Sequence, residues 1–257
     1  LAPPFTKVPS RLNEAISTYA EELGDAGFRI TKRYHLEPWQ TFIRLVAERF
    51  EQDKYQTTAE YLSDLNLAHD TLCEAKASMT AHEWSFPLIR LAEIFGLHLA
   101  SLDVRNNSEA HDAAAAQLFA RVGIPDGENF PTWTEAKRRE FLVAELSNPR
   151  PFLTRYEEAG DDADHILAYF RLLATHLRKR GPDCLGQLII SMTRSVSDIL
   201  LVQLLSREAG LAKLHSNGKW RSRLPVSPLF ETGEDLAAAS TILAEYLAIM
   251  GPHPSGM

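Results

Sequence analysis

Ser101-Leu-Asp-Val-Arg-Asn-Asn-Ser-Glu-Ala-His111 and Leu224-Pro-Val-Ser-Pro-Leu-Phe-Glu-Thr-Gly-Glu-Asp-Leu236 share one form. An apolar run ends at a single charged residue and then passes into a helical pattern. The first run ends at Arg105 and the second at Glu231. A further apolar run, Leu185-Gly-Gln-Leu-Ile-Ile-Ser-Met192, lies between them, and Ser195-Val-Ser-Asp198 behind it opens a helix. Strand and helix thus alternate through the second half of the chain, the pattern of parallel β/α units. Sites on such sheets gather at the carboxyl ends of the strands, which makes Arg105 and Glu231 the candidate site residues.

Working outward, the strands are expected at 97–104, 185–192 and 224–230, each followed by a helix. Pro225 and Pro228 each remove an amide donor, so they belong at the ends of the last strand or at a bulge. The helices fall at about 109–122, 135–146, 163–178, 195–209 and 234–247. Thr132-Trp-Thr-Glu135 has the form of a capping box. The first third is helical by its apolar spacing. Leu12, Ile16, Tyr19 and Leu23 form one stripe, Phe42, Leu45, Val46 and Phe50 a second, and Leu62, Leu65 and Leu72 a third. The expected organisation is a helical region over 1–96, β/α units over 97–250, and a tail over 251–257. Such units are too few to close a barrel of about eight strands by themselves.

Composition narrows the function. The 257 residues are 45% hydrophobic and 24% charged, an ordinary globular balance, and the net charge of -7 argues against a nucleic-acid partner. Cys73 and Cys184 are the only cysteines and stand far apart, so neither a disulfide framework nor a zinc site is expected. No apolar run is long enough to span a bilayer, and Leu1-Ala-Pro-Pro lacks the basic start and apolar core of a signal peptide. A cytoplasmic protein is expected. The start at Leu1 and the uncapped end Gly251-Pro-His-Pro-Ser-Gly-Met257 suggest a piece of a longer protein.

By chemistry alone each candidate keeps two readings. The planar fork of Arg105 suits a phosphate or carboxylate, or else an ion pair with Asp103 or Glu109. Glu231 suits Mg²⁺ or Mn²⁺, or else the positive end of the following helix. Glu234 and Asp235 read as first-turn acids, and His111 as a polar surface or packing residue. Lys213, Lys219, Arg221 and Arg223 around Trp220 read as a solvated basic loop.

The chain resembles phosphoenolpyruvate carboxylase. The family's Asp-Ile-Arg-Gln-Glu-Ser-x-x-His is matched by Asp103-Val-Arg-Asn-Asn-Ser-Glu-Ala-His111. Its Ile-Ser-Met strand and Ser-Asp-Val-Leu are matched by Ile190-Ser-Met192 and Ser197-Asp-Ile-Leu200, and its Pro-Leu-Phe-Glu-Thr by Pro228 to Thr232. Trp133 to Leu142, Glu145-Leu146, Arg150-Pro151 and Glu37-Pro38 also fit. The matches keep the family's order from about Glu37 to Leu247. The resemblance implies a mainly α fold with parallel β/α units, part of a (β/α)8 barrel with large helical additions. It implies an enzyme that joins bicarbonate to phosphoenolpyruvate, giving oxaloacetate and phosphate and replenishing the tricarboxylic acid cycle. The implied path runs through carboxyphosphate and a metal-held enolate that captures CO₂. It implies that Arg105 binds the substrate phosphate, that Glu231 ligates Mg²⁺ or Mn²⁺, and that the full-length protein is a homotetramer.

The departures are specific. Asn106-Asn107 replaces the family's Gln-Glu, and Lys213 to Arg223 has the look of an insertion. The family's Thr-Ala-His-Pro-Thr-Glu, Gly-Tyr-Ser-Asp-Ser and Phe-His-Gly-Arg-Gly-Gly segments do not occur, and His253 stands in a different context. The chain alone is therefore expected to be inactive. The alternative is a carboxylase-derived helical interaction domain, or a subunit of a split enzyme.

Overall fold

A computed structural model describes residues 8–148, 150–154, 157–214 and 218–251. The chain forms two compact units, Leu1–Ala100 and Ser101–Met257. Pro149, residues 215–217 of the basic run, and the tail with His253 lie outside the described residues.

The first unit is helical throughout. Helices α1 (Ser10–Glu22), α2 (Asp25–Arg33), α3 (Pro38–Glu51) and α4 (Thr58–Glu74) are followed by a short turn α5 (Ser78–Thr80), a π-helical stretch Ala81–Ser85, and α6 (Phe86–Phe95). Gly24, with φ 56°, breaks α1 from α2 in the left-handed region. Pro38 takes the first position of α3, where no amide partner is lost. The apolar stripes read from spacing converge: Leu12, Trp39, Phe42, Val46 and Leu72 share one core. Asp64 is buried with them and is fully engaged. Its carboxylate accepts from the Tyr55 hydroxyl at 2.6 Å, from Arg49 at 2.6 Å and from the Tyr19 hydroxyl. Burial, then the Asp64 hydrogen bond, pushes both phenols well above their usual pKa.

The second unit is built on a parallel sheet. Its strands are β1 (Leu102–Asn107), β2 (Leu185–Ser191) and β5 (Val226–Pro228), in the order β1-β2-β5. Helix α7 (Ser108–Arg121) follows β1. A 3₁₀ turn Gly127–Thr132, α8 (Glu135–Leu146) and α9 (Asp161–Arg180) lead back to β2, and α10 (Val196–Glu208) follows it. A hairpin of β3 (Ala212–Leu214) and β4 (Trp220–Ser222) precedes β5, and α11 (Gly233–Met250) closes the unit. Each strand of the sheet pairs in parallel with the next strand of the β/α series. Every residue of α10 is buried, so it is the central pillar of the core. Around Phe119, the rings of Phe130 and Phe141 pack edge-on at 5.0 Å.

Several expectations shift. Leu97 to Ser101 is not strand. Leu99 turns the chain with φ 64°, and β1 starts at Leu102. A register irregularity at Asp103 turns its carboxylate onto the Gln187 amide at 2.9 Å, which favours a bulge over continuous pairing. Gly186 makes room for it, since a Cβ there would sit 2.1 Å from Asp103 Oδ1. β5 is shorter than expected. Pro225 precedes it, with its carbonyl accepting from the Leu188 amide at 2.8 Å, and Pro228 is its last residue. Pro228 pairs only on the β2 side, the tolerance of an edge strand. The cap of α8 is Thr134, whose hydroxyl accepts from the Lys137 amide, not Thr132. The basic run is not loop throughout, though Lys213 and Arg223 are exposed. It forms the β3–β4 hairpin, with Arg221 buried and donating to the carbonyls of Met250 and Gly251 at the end of α11.

Candidate functional site at the strand ends

Arg105 lies near the end of β1 and Glu231 just after β5, on either side of β2. The structure joins them directly: Arg105 Nη2 lies 2.7 Å from Glu231 Oε1. The other oxygen, Oε2, accepts from the Met192 amide at 3.0 Å. Met192 immediately follows β2 and holds φ 57°, a left-handed conformation that an unbranched residue adopts only at a cost. Its carbonyl accepts from the Ser108 hydroxyl at 2.8 Å, at the start of α7. One carboxylate and one strained peptide thus tie together the ends of the sheet's strands. Neither Asp103 nor Glu109 is the partner of Arg105.

The Asn106-Asn107 departure has a local structural role. The Asn107 side chain accepts from the Glu109 amide at 2.9 Å and caps α7. Beyond β2, Thr193 anchors the turn through its amide on the Leu229 carbonyl at 3.2 Å. Ser195 and Asp198 form the expected capping box of α10. Asp198 continues into a buried cluster in which Arg138 bonds both Asp112 and Asp198. Burial raises the Asp112 carboxyl above its usual range, against the lowering by Arg138. Glu135, at the head of α8, holds the Ser197 hydroxyl at 2.6 Å.

Two further residues complete the surroundings. Arg194, directly after the turn at Met192, is half exposed, with its guanidinium 3.7 Å from Asp112. It is a second cation at this end of the sheet. Spacing could have found it, because it follows the apolar run 185–192 as Arg105 follows the run 97–104. His111 packs rather than reacts. It is 1% exposed, stands edge-on to Phe170 at 6.0 Å, and neither ring nitrogen has a hydrogen-bond partner. Burial lowers its pKa to about 4, so the neutral ring is the native form. Glu234 and Asp235 are first-turn acids of α11, where Asp235 and Thr232 form a capping box.

Among the described residues, no cluster of three or more His, Cys, Asp or Glu side chains is arranged to cage a metal. Cys73 and Cys184 are both free. Among the same residues, no helix is long and apolar enough to cross a membrane. What the strand ends offer is a carboxylate with hard oxygens, flanked by cations.

A family model described as phosphoenolpyruvate carboxylase matches residues 29–251. A phosphoenolpyruvate carboxylase of Roseiflexus castenholzii is 38% identical over 189 residues, which are 74% of this chain and 20% of that protein. One from Aromatoleum aromaticum is 35% identical over 199 residues, 77% of this chain and 21% of that protein. One from Aeromonas hydrophila subsp. hydrophila is 30% identical over 232 residues, 84% and 25% respectively. The chain spans about a fifth of the length of the curated relatives it matches.

Proposed function

The chain belongs to the phosphoenolpyruvate carboxylase family, and on that premise we propose that it is the central part of an enzyme adding bicarbonate to phosphoenolpyruvate to give oxaloacetate and phosphate. Its sheet is then a section of a (β/α)8 barrel. The whole protein is a cytoplasmic homotetramer that replenishes the tricarboxylic acid cycle, and this chain alone does not turn over. The observation that carries the reading is the contact of Arg105 with Glu231 at the ends of strands flanking β2.

Energetics supports a binding role for this pair. The Arg105 side chain is 55% exposed and that of Glu231 30% exposed. An ion pair so open to water contributes about 0–1 kcal/mol. It is therefore weak as scaffold and cheap to open when a ligand offers more. A phosphate on the Arg105 fork gains charge-assisted hydrogen bonds that a half-solvated carboxylate does not match. Arg105 then holds the phosphoryl oxygens and orients the phosphorus toward its nucleophile. Arg194 adds positive charge at the same end of the sheet.

Glu231 is the residue that would hold Mg²⁺ or Mn²⁺. Such ions take oxygen ligands and often only one or two from protein, and the donor type fits. Oε1 becomes available when Arg105 turns to the phosphate, while the Met192 amide on Oε2 keeps the carboxylate aimed. A bound divalent ion would supply positive charge where negative charge develops on the substrate oxygen.

The test is oxaloacetate formation by the complete gene product, compared with its Glu231→Ala and Arg105→Gln forms. Metal-dependent turnover that is lost in both supports the reading. Unchanged turnover in Glu231→Ala overturns the metal assignment, and unchanged turnover in Arg105→Gln overturns the phosphate assignment.

A further inference from the structure

At the far end of α10 from Met192, the second unit holds a polar cleft of about 410 Å³. Leu153, Arg171, Thr175, Arg178, Arg207 and Glu208 line it. Because α10 has 13 residues, its ends are about 20 Å apart, so this cleft is separate from Arg105 and Glu231.

The charges in the cleft do not cancel. Glu208 is spoken for: Oε2 accepts from the Phe152 amide at 2.7 Å, and Oε1 from Arg207 Nε at 2.8 Å. Arg207 is buried, also bonds the Glu145 and Asn148 carbonyls, and lies over the Phe152 ring at 5.0 Å. Arg207 also stands 3.7 Å from the Glu145 carboxylate, so its charge is spent within the floor. Above it, Arg171, Thr175 and Arg178 share one face of α9 by their i, i+4, i+7 spacing. Among the described residues, Arg178 donates only to the Thr175 hydroxyl, at 3.0 Å, and Arg171 pairs with no carboxylate. Arg178 stands in the last turn of α9, where the helix dipole favours a cation. Arg171 stands two turns earlier, where it does not.

The end of α10 is also prepared. Its last carbonyls would repel an anion, but a Schellman closure occupies them. Gly210, at φ 70°, donates to the Arg207 carbonyl and Leu211 to the Ser206 carbonyl. The Thr175 hydroxyl donates to the Arg171 carbonyl at 2.9 Å and accepts from Arg178, so it braces that fork, and the result is two planar cationic forks over an ordered floor. We propose that this cleft binds a phosphate group, with Arg171 and Arg178 as its two forks and Thr175 bracing Arg178. The volume lies in the range of small-molecule sites, which admits a phosphomonoester as well as free phosphate.

Isothermal titration of this chain at constant ionic strength, with inorganic phosphate and separately with glycerol 3-phosphate, tests the proposal. Saturable binding of both is expected. Because Arg105 is itself read as a phosphate ligand, the titration is run in the Arg105→Gln background, where binding should weaken by about tenfold or more on addition of Arg171→Gln/Arg178→Gln. Tighter binding of the ester assigns the cleft to phosphate esters, and equal binding assigns it to the free anion. No saturable binding in that background, or binding unaffected by the added double variant, overturns the proposal. Phenylglyoxal modification of the unaltered protein, read by peptide mass spectrometry, avoids any folding defect. Phosphate should protect Arg171 and Arg178 but not the exposed Arg29, and equal rates with and without phosphate contradict the site.

Discussion

His111 is a buried imidazole without a hydrogen-bond partner, and it makes stability depend on pH. Its native pKa is lowered to about 4 by burial, while an unfolded histidine titrates near about 6.5. Between those values the unfolded chain binds a proton that the native chain refuses. The contribution is fully present above the unfolded value and falls as pH drops through the window, by about 1.4 kcal/mol per pH unit. Denaturant melts of the wild type and His111→Leu should therefore diverge in slope between about pH 6 and about pH 4.5. Parallel loss of stability in the two proteins contradicts this assignment. Glu231→Gln, by contrast, should cost about 1 kcal/mol or less in the same melts, since its pair is half solvated. A large loss would make Glu231 a structural residue.

At the scale of elements, the turn after β2 and the cluster behind it govern the site. Met192→Val puts a β-branched residue at φ 57° and should destabilise by about 1–2 kcal/mol, whereas Met192→Gly relieves the strain. Chemical denaturation of both variants checks the contrast, and equal stability of the two would remove strain from the account. Arg138→Met leaves Asp112 and Asp198 buried together without their cation, at a cost of about 3–5 kcal/mol. A urea midpoint unchanged in that variant would show that the cluster holds nothing together.

These elements were unequally legible in the sequence. Helices α3, α7 and α8 stand where the stripe Phe42 to Phe50 and the helical patterns at 109–122 and 135–146 put them, because their signals are local. The boundaries of β1 and β5 were not legible, because a strand ends where its partner ends. Leu97 to Ala100 is apolar enough for a strand and has none beside it. The hairpin of Lys213 to Arg223 was missed for a similar reason. Lys219 and Arg221 serve the carbonyls at the end of α11, about thirty residues away in sequence, and no local pattern encodes that. At the site, Arg105 and Glu231 were found as positions at strand ends. Their mutual contact and the Met192 amide between them came only with the sheet order β1-β2-β5.

For the whole molecule, the central proposal is that Glu231 receives a divalent cation when Arg105 is drawn to phosphate. The most direct measurement is paramagnetic broadening of the backbone amide signals of this chain by Mn²⁺ in the presence of phosphoenolpyruvate. The account predicts broadening centred on the amides of Met192 and Glu231, lost in Glu231→Gln with the rest of the spectrum intact. Broadening centred elsewhere, or persisting around Met192 in Glu231→Gln, would contradict it.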